Sequence, residues 1–310
     1  MVDINVLRWT IFRNIQFKVH WIVIHHANIM GIDMASITDC VVEGLKYPFG
    51  DIKKLLGFGV LFALMSALST YIGIKSFDIF RMSVHTVENA NTTLSHLPLS
   101  QLPAGDMYLV AGLTVISFIV SLFIFGYQYN IVNYSIDKKA DLPGFSDIVG
   151  MLIKGIKYFI VVLVYNIIPA VIFVCGALTN DSSAFLLMTC ISGLLFVIAF
   201  FFLIMALNNM VAYDSLKKAF DIREITGYIA NLGWGKYIGI IVFTLIVYMI
   251  IMFAVSFVLG FLTMAFSIAI SNQAFVISFF IAIIEGLFID SYMSLFFNRV
   301  CGSVYRESIK

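Results

Sequence analysis

The sequence predicts an all-α integral membrane protein in which six transmembrane helices form three repeated units, each an interfacial helix followed by a helical hairpin. Three observations lead to this prediction. Hydrophobic residues make up 61% of the chain and charged residues only 12%, with a mean hydropathy of +0.99. Six long runs are almost free of charge, and a pattern of amphipathic segment plus apolar run recurs. A water-soluble fold of this length has too little interior to bury so much apolar surface.

The six predicted spans follow from a length test. A hydrocarbon core of about 30 Å needs roughly 20 apolar residues in an α-helix. The stretches that satisfy this test lie near residues 55–74, 107–131, 158–178, 184–211, 237–259 and 274–297. Together with their connections they make up one predicted transmembrane domain, residues 36–310.

The repeated unit is clearest between Gly126 and Pro169, where a helix end, a Lys-Lys pair, an amphipathic segment and a new apolar run follow one another. The same order recurs between Ala206 and Tyr248. Apolar residues at three- or four-residue spacing predict amphipathic interfacial helices over residues 36–47, 142–157 and 220–232. The last two are expected to lie on the membrane surface, separate from the spans that follow them.

Residues 1–35 form a basic N-terminal extension, in which Arg8, Arg13 and Lys18 stand among aromatic and aliphatic residues. Its apolar core is short and interrupted by histidines, so it cannot span a bilayer. Two interpretations stay open. The extension is an interfacial anchor, or it is not translated and the chain starts at Met30 or Met34.

Basic residues are concentrated in alternate connections, which predicts that both chain termini are cytoplasmic and that the protein lies in the cell membrane. These residues are Lys53, Lys54, Lys138, Lys139, Lys154, Lys157, Lys217, Lys218, Arg223, Lys236, Arg299, Arg306 and Lys310. A net charge of +1 gives no reason to expect a nucleic-acid partner. The expected partners are the lipid bilayer and, in addition, another membrane protein or a second copy of this chain.

Cysteine and motif patterns give no indication of a metal or cofactor. The four cysteines, Cys40, Cys175, Cys190 and Cys301, have neither the spacing of a zinc site nor that of a disulfide framework. Glycine-rich phosphate loops and the common hydrolase and metalloprotease signatures are also missing from the sequence. An enzyme is therefore the least favoured functional class.

A set of residues at characteristic positions resembles a known family. They include the YPF sequence at Tyr47 to Phe49, Gly126 with Tyr127, Leu142 with Pro143, Phe145 with Asp147, Gly155, Tyr165, Pro169, and the stretch from Asn208 to Gly227. Together they resemble the multi-pass family called domain of unknown function 4013, over nearly everything after Ser36. The resemblance implies an integral membrane protein, frequent in methanogenic archaea, with no assigned activity.

Polar residues inside the predicted spans are the candidate site residues, because ionisable and amide groups are costly in hydrocarbon. They are Glu285, Asp290, Asn166, Asn208 and Asn209. Asn166, near Pro169, is expected to break the third predicted helix.

Glu285 lies midway along the sixth span, too far from either end for its side chain to reach water. We expect it to be protonated at neutral pH and to form a hydrogen bond with Tyr165, Asn166 or Tyr248. Asp290 is about 140° further round an α-helix and is expected to face a different neighbour or water.

Two functional hypotheses remain. In one, the protein transports a small solute, ion or lipid along a polar path in the bundle, as internally repeated membrane proteins often do. In the other, it is a membrane scaffold or assembly component, and its polar residues only tie helices together through hydrogen bonds of about 0.6 kcal/mol each. An intramembrane enzyme is a distant third.

Overall fold

The computed structural model describes residues 34–90, 103–179, 181–269 and 274–309, and within those ranges it has no β-strand. The predicted N-terminal extension lies almost wholly outside them. The helices are α1 Met34–Lys46, α2 Ile52–Ala90, α3 Ala104–Ile136, α4 Ile148–Ala177, α5 Ser182–Ala212, α6 Ile222–Leu232, α7 Trp234–Ala269, α8 Ala274–Glu285 and α9 Ser291–Ser308. Short 3-10 turns occupy Tyr47–Gly50 and Leu216–Phe220, and a π-helical turn occupies Gly286–Asp290.

The prediction of six transmembrane helices is confirmed, because six helical segments are long and apolar enough to cross a membrane. The first five are α2, α3, α4, α5 and α7. The sixth consists of α8, the π-turn and α9 in sequence. Since α4, with 30 residues, is the shortest of the first five and each residue rises 1.5 Å, all five are longer than a hydrocarbon layer of about 30 Å.

The amphipathic helix predicted over residues 220–232 is confirmed as α6. The Asp221 side chain accepts a hydrogen bond from the Glu224 backbone N–H at 3.1 Å and so caps the start of the helix. Ile225 and Ile229 are fully buried against the bundle, whereas Ile222 is exposed. The helix therefore presents one apolar face to the protein.

The separate amphipathic helix predicted over residues 142–157 is wrong. Residues 142–147 are not helical, and α4 begins at Ile148 and continues without interruption to Ala177. The Asp147 side chain caps this start by accepting a hydrogen bond from the Gly150 N–H at 2.8 Å. Residues 148–157 are helical, as their apolar spacing predicts. Because no helix-breaking residue separates them from the third span, the two segments form one helix.

The half of the sixth segment that follows the π-turn, α9, lies at the centre of one end of the bundle. It contacts α1, α2, α3, α5, α6 and α7. This is the end where α3 and α5 finish and α4 and α7 begin, and it is called the lysine-rich end because Lys139, Lys157 and Lys218 lie there. The large buried side chains of α9, Met293, Phe296, Val300, Val304 and Tyr305, form the middle of the core.

At the opposite end, called the far end, the helices bury fewer of their large side chains. Large side chains of α7 beyond Tyr248 are mostly exposed, among them Phe253 at 75% and Phe257 at 70%. Exposed residues also occupy most of the far-end halves of α4 and α5. The core is therefore concentrated at the lysine-rich end, and the far-end surface is left for lipid or for another protein to cover.

Close backbone contact between α3 and α4 depends on two glycines. A Cβ atom at Gly126 would lie 1.9 Å from the Met151 carbonyl oxygen, and one at Gly155 would lie 1.9 Å from the Leu122 carbonyl oxygen. Small residues allow such approach in membrane proteins, where packing replaces the hydrophobic driving force. Both glycines belong to the residues that resemble the family, which gives them a physical role.

We predict that Gly126→Ala and Gly155→Ala each destabilise the protein by about 1–3 kcal/mol, because overpacking forces the two backbones apart. Thermal unfolding in detergent, followed by circular dichroism, measures the effect as a lower melting temperature. Gly112→Ala is the matched control on α3, since no atom lies within 4 Å of its Cβ position. A melting temperature for Gly126→Ala equal to that of the control would contradict the close contact.

Candidate functional site

A charged cluster made of Glu43, Arg299 and Arg306 joins α1 to α9 at the lysine-rich end. Arg299 donates from Nη2 to Glu43 Oε1 at 2.7 Å, and Arg306 donates from Nη2 to Glu43 Oε2 at 2.9 Å. The two arginines also donate to backbone carbonyls at the end of α3, at 2.7 Å for Lys139 and 2.9 Å for Ser135. One carboxylate thus holds two guanidinium groups, and these also donate to backbone carbonyls at and just beyond the end of α3.

The electrostatics of this cluster favour the charged form of Glu43. Burial opposes ionisation, but hydrogen bonds and positive charge from Arg306 and Arg299 outweigh burial and lower the pKa of Glu43. Arg299 is only 4% exposed, and its guanidinium lies 4.4 Å from the centre of the Tyr47 ring. The cluster therefore ties α1 to α9 and is not an ordinary solvent-exposed ion pair.

A second network holds α6 against α5 and α9. Asn209 is fully buried; it donates to the Lys218 carbonyl oxygen at 2.9 Å and accepts a hydrogen bond from the Tyr305 hydroxyl at 2.8 Å. Glu224 accepts hydrogen bonds from Lys218 Nζ at 2.5 Å and from Tyr228 at 3.0 Å, and Lys218 is the main cause of the lowered pKa of Glu224. Asn209, a predicted site residue, is therefore part of the packing between helices.

Asn208 and Asn166 form hydrogen bonds within their own helices. Asn208 donates to the Ile204 carbonyl and Asn166 to the Val162 carbonyl, each at 2.7 Å. Asn208 Oδ1 is buried with no partner in the described part of the chain, whereas Asn166 lines an apolar surface groove of about 320 Å³ along α4. Because α4 continues through Pro169 to Ala177, the prediction that Asn166 and Pro169 break the helix is wrong.

Glu285 and Asp290 lie at the two ends of the π-turn, deep in the sixth membrane-spanning segment. Neither carboxyl group has a hydrogen bond or an ion pair with any residue that the structure describes. None of the three predicted partners forms a hydrogen bond with Glu285: the Tyr165 hydroxyl donates to the Ala219 carbonyl at 2.8 Å, and Asn166 bonds its own helix. The third, Tyr248, interacts electrostatically with Asp290.

The π-turn places the two carboxyl groups closer together than an α-helix would. Its hydrogen bonds join residue i to residue i+5, so two residues five apart lie about one turn apart, on nearly the same side. The 140° separation, which assumed a regular α-helix, is therefore wrong. The expectation that the two groups face different neighbours stays a prediction.

Sequence patterns missed both the Glu43 cluster and the π-turn. Glu43 and Arg299 are 256 positions apart, so no local spacing links them. One usable signal existed: Arg299 and Arg306 are seven residues apart, on one face of the same helix. For the π-turn the sequence contains no comparable signal. No group of three or more metal-binding side chains occurs among the described residues.

We predict that Glu43→Gln lowers the stability of the protein by about 1–3 kcal/mol, because it leaves the nearly buried Arg299 without its counter-charge. Since the folded-state pKa of Glu43 is lowered, its stabilisation is present above the unfolded pKa of about 4.3 and is lost as pH falls through the folded value. Melting temperatures in detergent between pH 7 and pH 3 measure this difference.

The control for this prediction is Asp39→Asn, which removes an exposed carboxylate from the same helix. The parent and the Asp39→Asn variant should lose stability on acidification in parallel and converge on the Glu43→Gln variant. Equal melting temperatures for all three proteins at pH 7 would show that the cluster does not stabilise the fold.

Comparison with known proteins confirms the family resemblance for the middle of the chain. The model of the family described as protein of unknown function (DUF4013) matches residues 109–260. This is narrower than the extent after Ser36 that the motif residues suggested. No curated protein and no solved structure matches the chain. The six apolar helices identify a multi-pass membrane protein, and its residues 109–260 are similar to the DUF4013 family.

Proposed function

We propose that the protein moves a small solute or ion across the cell membrane, and that Glu285 and Asp290 are the titrating groups of this pathway. The observation that carries the proposal is the position of these carboxyl groups within a membrane-spanning segment, with no hydrogen-bond or cationic partner among the described residues. Ionisable groups in that setting destabilise a membrane helix. Their presence is better explained by a function than by a contribution to folding.

The packing of the bundle supports a pathway with one closed and one open side. At the lysine-rich end, fully buried side chains of α5, α6 and α9, such as Met210, Ile229 and Phe296, close the interior. At the far end most large side chains of α4, α5 and α7 are exposed. The carboxyl pair lies between these two regions, next to the first buried turn of α9 at Ser291. A solute entering from the far end would therefore meet the pair before the closed end.

The three asparagines do not extend this pathway. Asn166 and Asn208 satisfy backbone carbonyls of their own helices, and Asn209 joins α5 to α9 through Tyr305. Local hydrogen bonds of this kind need no transported solute. The proposal therefore depends on the two carboxyl groups alone.

A membrane scaffold is the second candidate, and the exposed far-end half of α7 favours it. Met249, Phe253, Phe257 and Phe261 are each about two-thirds exposed or more. A helix of another membrane protein, or a second copy of this chain, would cover that surface by van der Waals packing. A stable partner that copurifies with the protein and is lost on substituting these residues would support the scaffold.

Orientation is part of the proposal: we place the lysine-rich end and both termini on the cytoplasmic side. In a variant without native cysteines, an impermeant maleimide should label Ser182→Cys in intact cells, because Ser182 is exposed at the far end. It should label Asp141→Cys and Arg223→Cys, exposed at the lysine-rich end, only after permeabilisation. Labelling of Arg223→Cys in intact cells would reverse the orientation.

For transport, we predict that purified protein in liposomes dissipates an imposed pH gradient when small solutes are supplied outside, as measured with an entrapped pH dye. Glu285→Gln and Asp290→Asn should each reduce the initial rate at least about tenfold, because they preserve size and polarity but remove titration. Asp39→Asn, which neutralises a carboxylate on α1 outside the membrane-spanning segments, should leave the rate unchanged. Equal rates in parent and Glu285→Gln vesicles would contradict a titrating pathway.

A further inference from the structure

We propose that the π-turn Gly286–Asp290 is a switch between two helical registers of the sixth membrane-spanning segment. In this switch the extra residue of the turn moves along the helix toward α8 and rotates Glu285 away from Asp290. The register switch depends on the proposed function only for its biological purpose. The register itself can be measured in the absence of any transport.

The helical register determines whether the two carboxyl groups lie on the same side of the helix. In the observed register, Glu285 and Asp290 are about one π-turn apart and lie on nearly the same side. If the residues between them were α-helical, the same two positions would be about 140° apart. Moving the extra residue past Glu285 therefore separates the two carboxyl groups.

One side of the switch is fixed. The Tyr292 hydroxyl donates to the Leu45 carbonyl at 2.9 Å, and Gln128 donates to the Ser294 hydroxyl at 2.9 Å. Further along α9, Arg299 is held by Glu43. These bonds tie α9 to α1 and α3, so a change of register must be taken up on the α8 side.

The α8 side is less enclosed. Phe280 and Ile284 are each at least half exposed, whereas Met293 and Phe296 on α9 are fully buried. Rotation of α8 would exchange apolar side chains between lipid and protein, and these two environments are similarly apolar. The rotation therefore changes little hydrophobic free energy.

Two glycines let the backbone of the turn pack directly against α2. A Cβ atom at Gly59 would lie 2.1 Å from the Leu287 carbonyl oxygen, and one at Gly286 would lie 2.8 Å from the Phe62 carbonyl oxygen. A side chain at either position would push the turn away from α2. Substitutions at these positions would therefore disturb the register of the turn.

Charge repulsion supplies the driving force. Two ionised carboxylates on one side of a helix repel strongly in a low dielectric, and a single proton shared between them removes the repulsion. Other titratable groups near the pair are Tyr248 from α7, which interacts with Asp290, and Tyr292 on α9. Residues 55–66 of α2, which run along the turn, include none. Loss of the shared proton therefore favours the register in which the carboxyl groups are apart.

The test is a spin-label scan of residues 280–284 in nanodiscs, in a variant without native cysteines. Oxygen collision rates identify which face of α8 meets lipid. In the protein with both carboxyl groups, the lipid-facing direction should rotate by about 100°, one residue of α-helix, between acidic and alkaline pH. In the Glu285→Gln, Asp290→Asn double variant it should stay constant.

A deletion and its matched control set one reference state. Deleting Phe288, which is exposed, removes the extra residue and leaves Glu285 and Asp290 four residues, about 40°, apart in an α-helix. It should fix the observed direction at every pH, whereas Phe288→Ala should behave as the parent does. An unchanged direction in the parent across the pH range overturns the switch, even if Glu285→Gln abolishes transport. A pH-dependent rotation without any transport keeps the switch and overturns the proposed function.

Discussion

The Glu43 carboxylate, shared between Arg299 and Arg306, is the interaction on which the rest of the structure depends. It joins the first described helix to the last, and through the two guanidinium groups it also satisfies the carbonyls that end α3. Removing one partner of such a buried pair leaves a charge without compensation, which is far more destabilising than never having the pair.

The asymmetry of the bundle follows from this arrangement. Within hydrocarbon, apolar side chains gain little from contact with one another, so helices associate through close backbone packing and polar bonds. In this protein the polar bonds are concentrated at the lysine-rich end, and the closest contact of α3 with α4, at Gly126 and Gly155, lies in the same half. The far-end halves lack comparable bonds among the described side chains except the Lys75–Asp106 pair and the contact of Ser192 with Pro169. The proposed pathway depends on this difference between a buried core at one end and exposed side chains at the other.

Much of the fold was predictable because hydrocarbon leaves the backbone few choices. Every N–H and C=O must be satisfied internally, so a charge-poor run of about 20 residues forms a helix. The error over residues 142–157 has the same origin. Apolar spacing shows that a stretch is helical, but it does not show where a helix begins or ends. The start of α4 at Ile148 is set by the non-helical residues that precede it. The carboxyl positions were evident from the sequence. Their proximity was not, because an extra residue in a π-turn leaves hydrophobicity unchanged around Gly286.

The central claim is that the lysine-rich end is rigid and the far end moves with the charge of the carboxyl pair. Distances between paired spin labels in nanodiscs test it most directly. A pair at Asp141 and Arg223, at the lysine-rich end, should give one narrow distance at every pH. A pair at Leu187 on α5 and Phe261 on α7, both exposed at the far end, should give a distribution that shifts between acidic and alkaline pH. Equally narrow, pH-independent distances for both pairs would contradict the account.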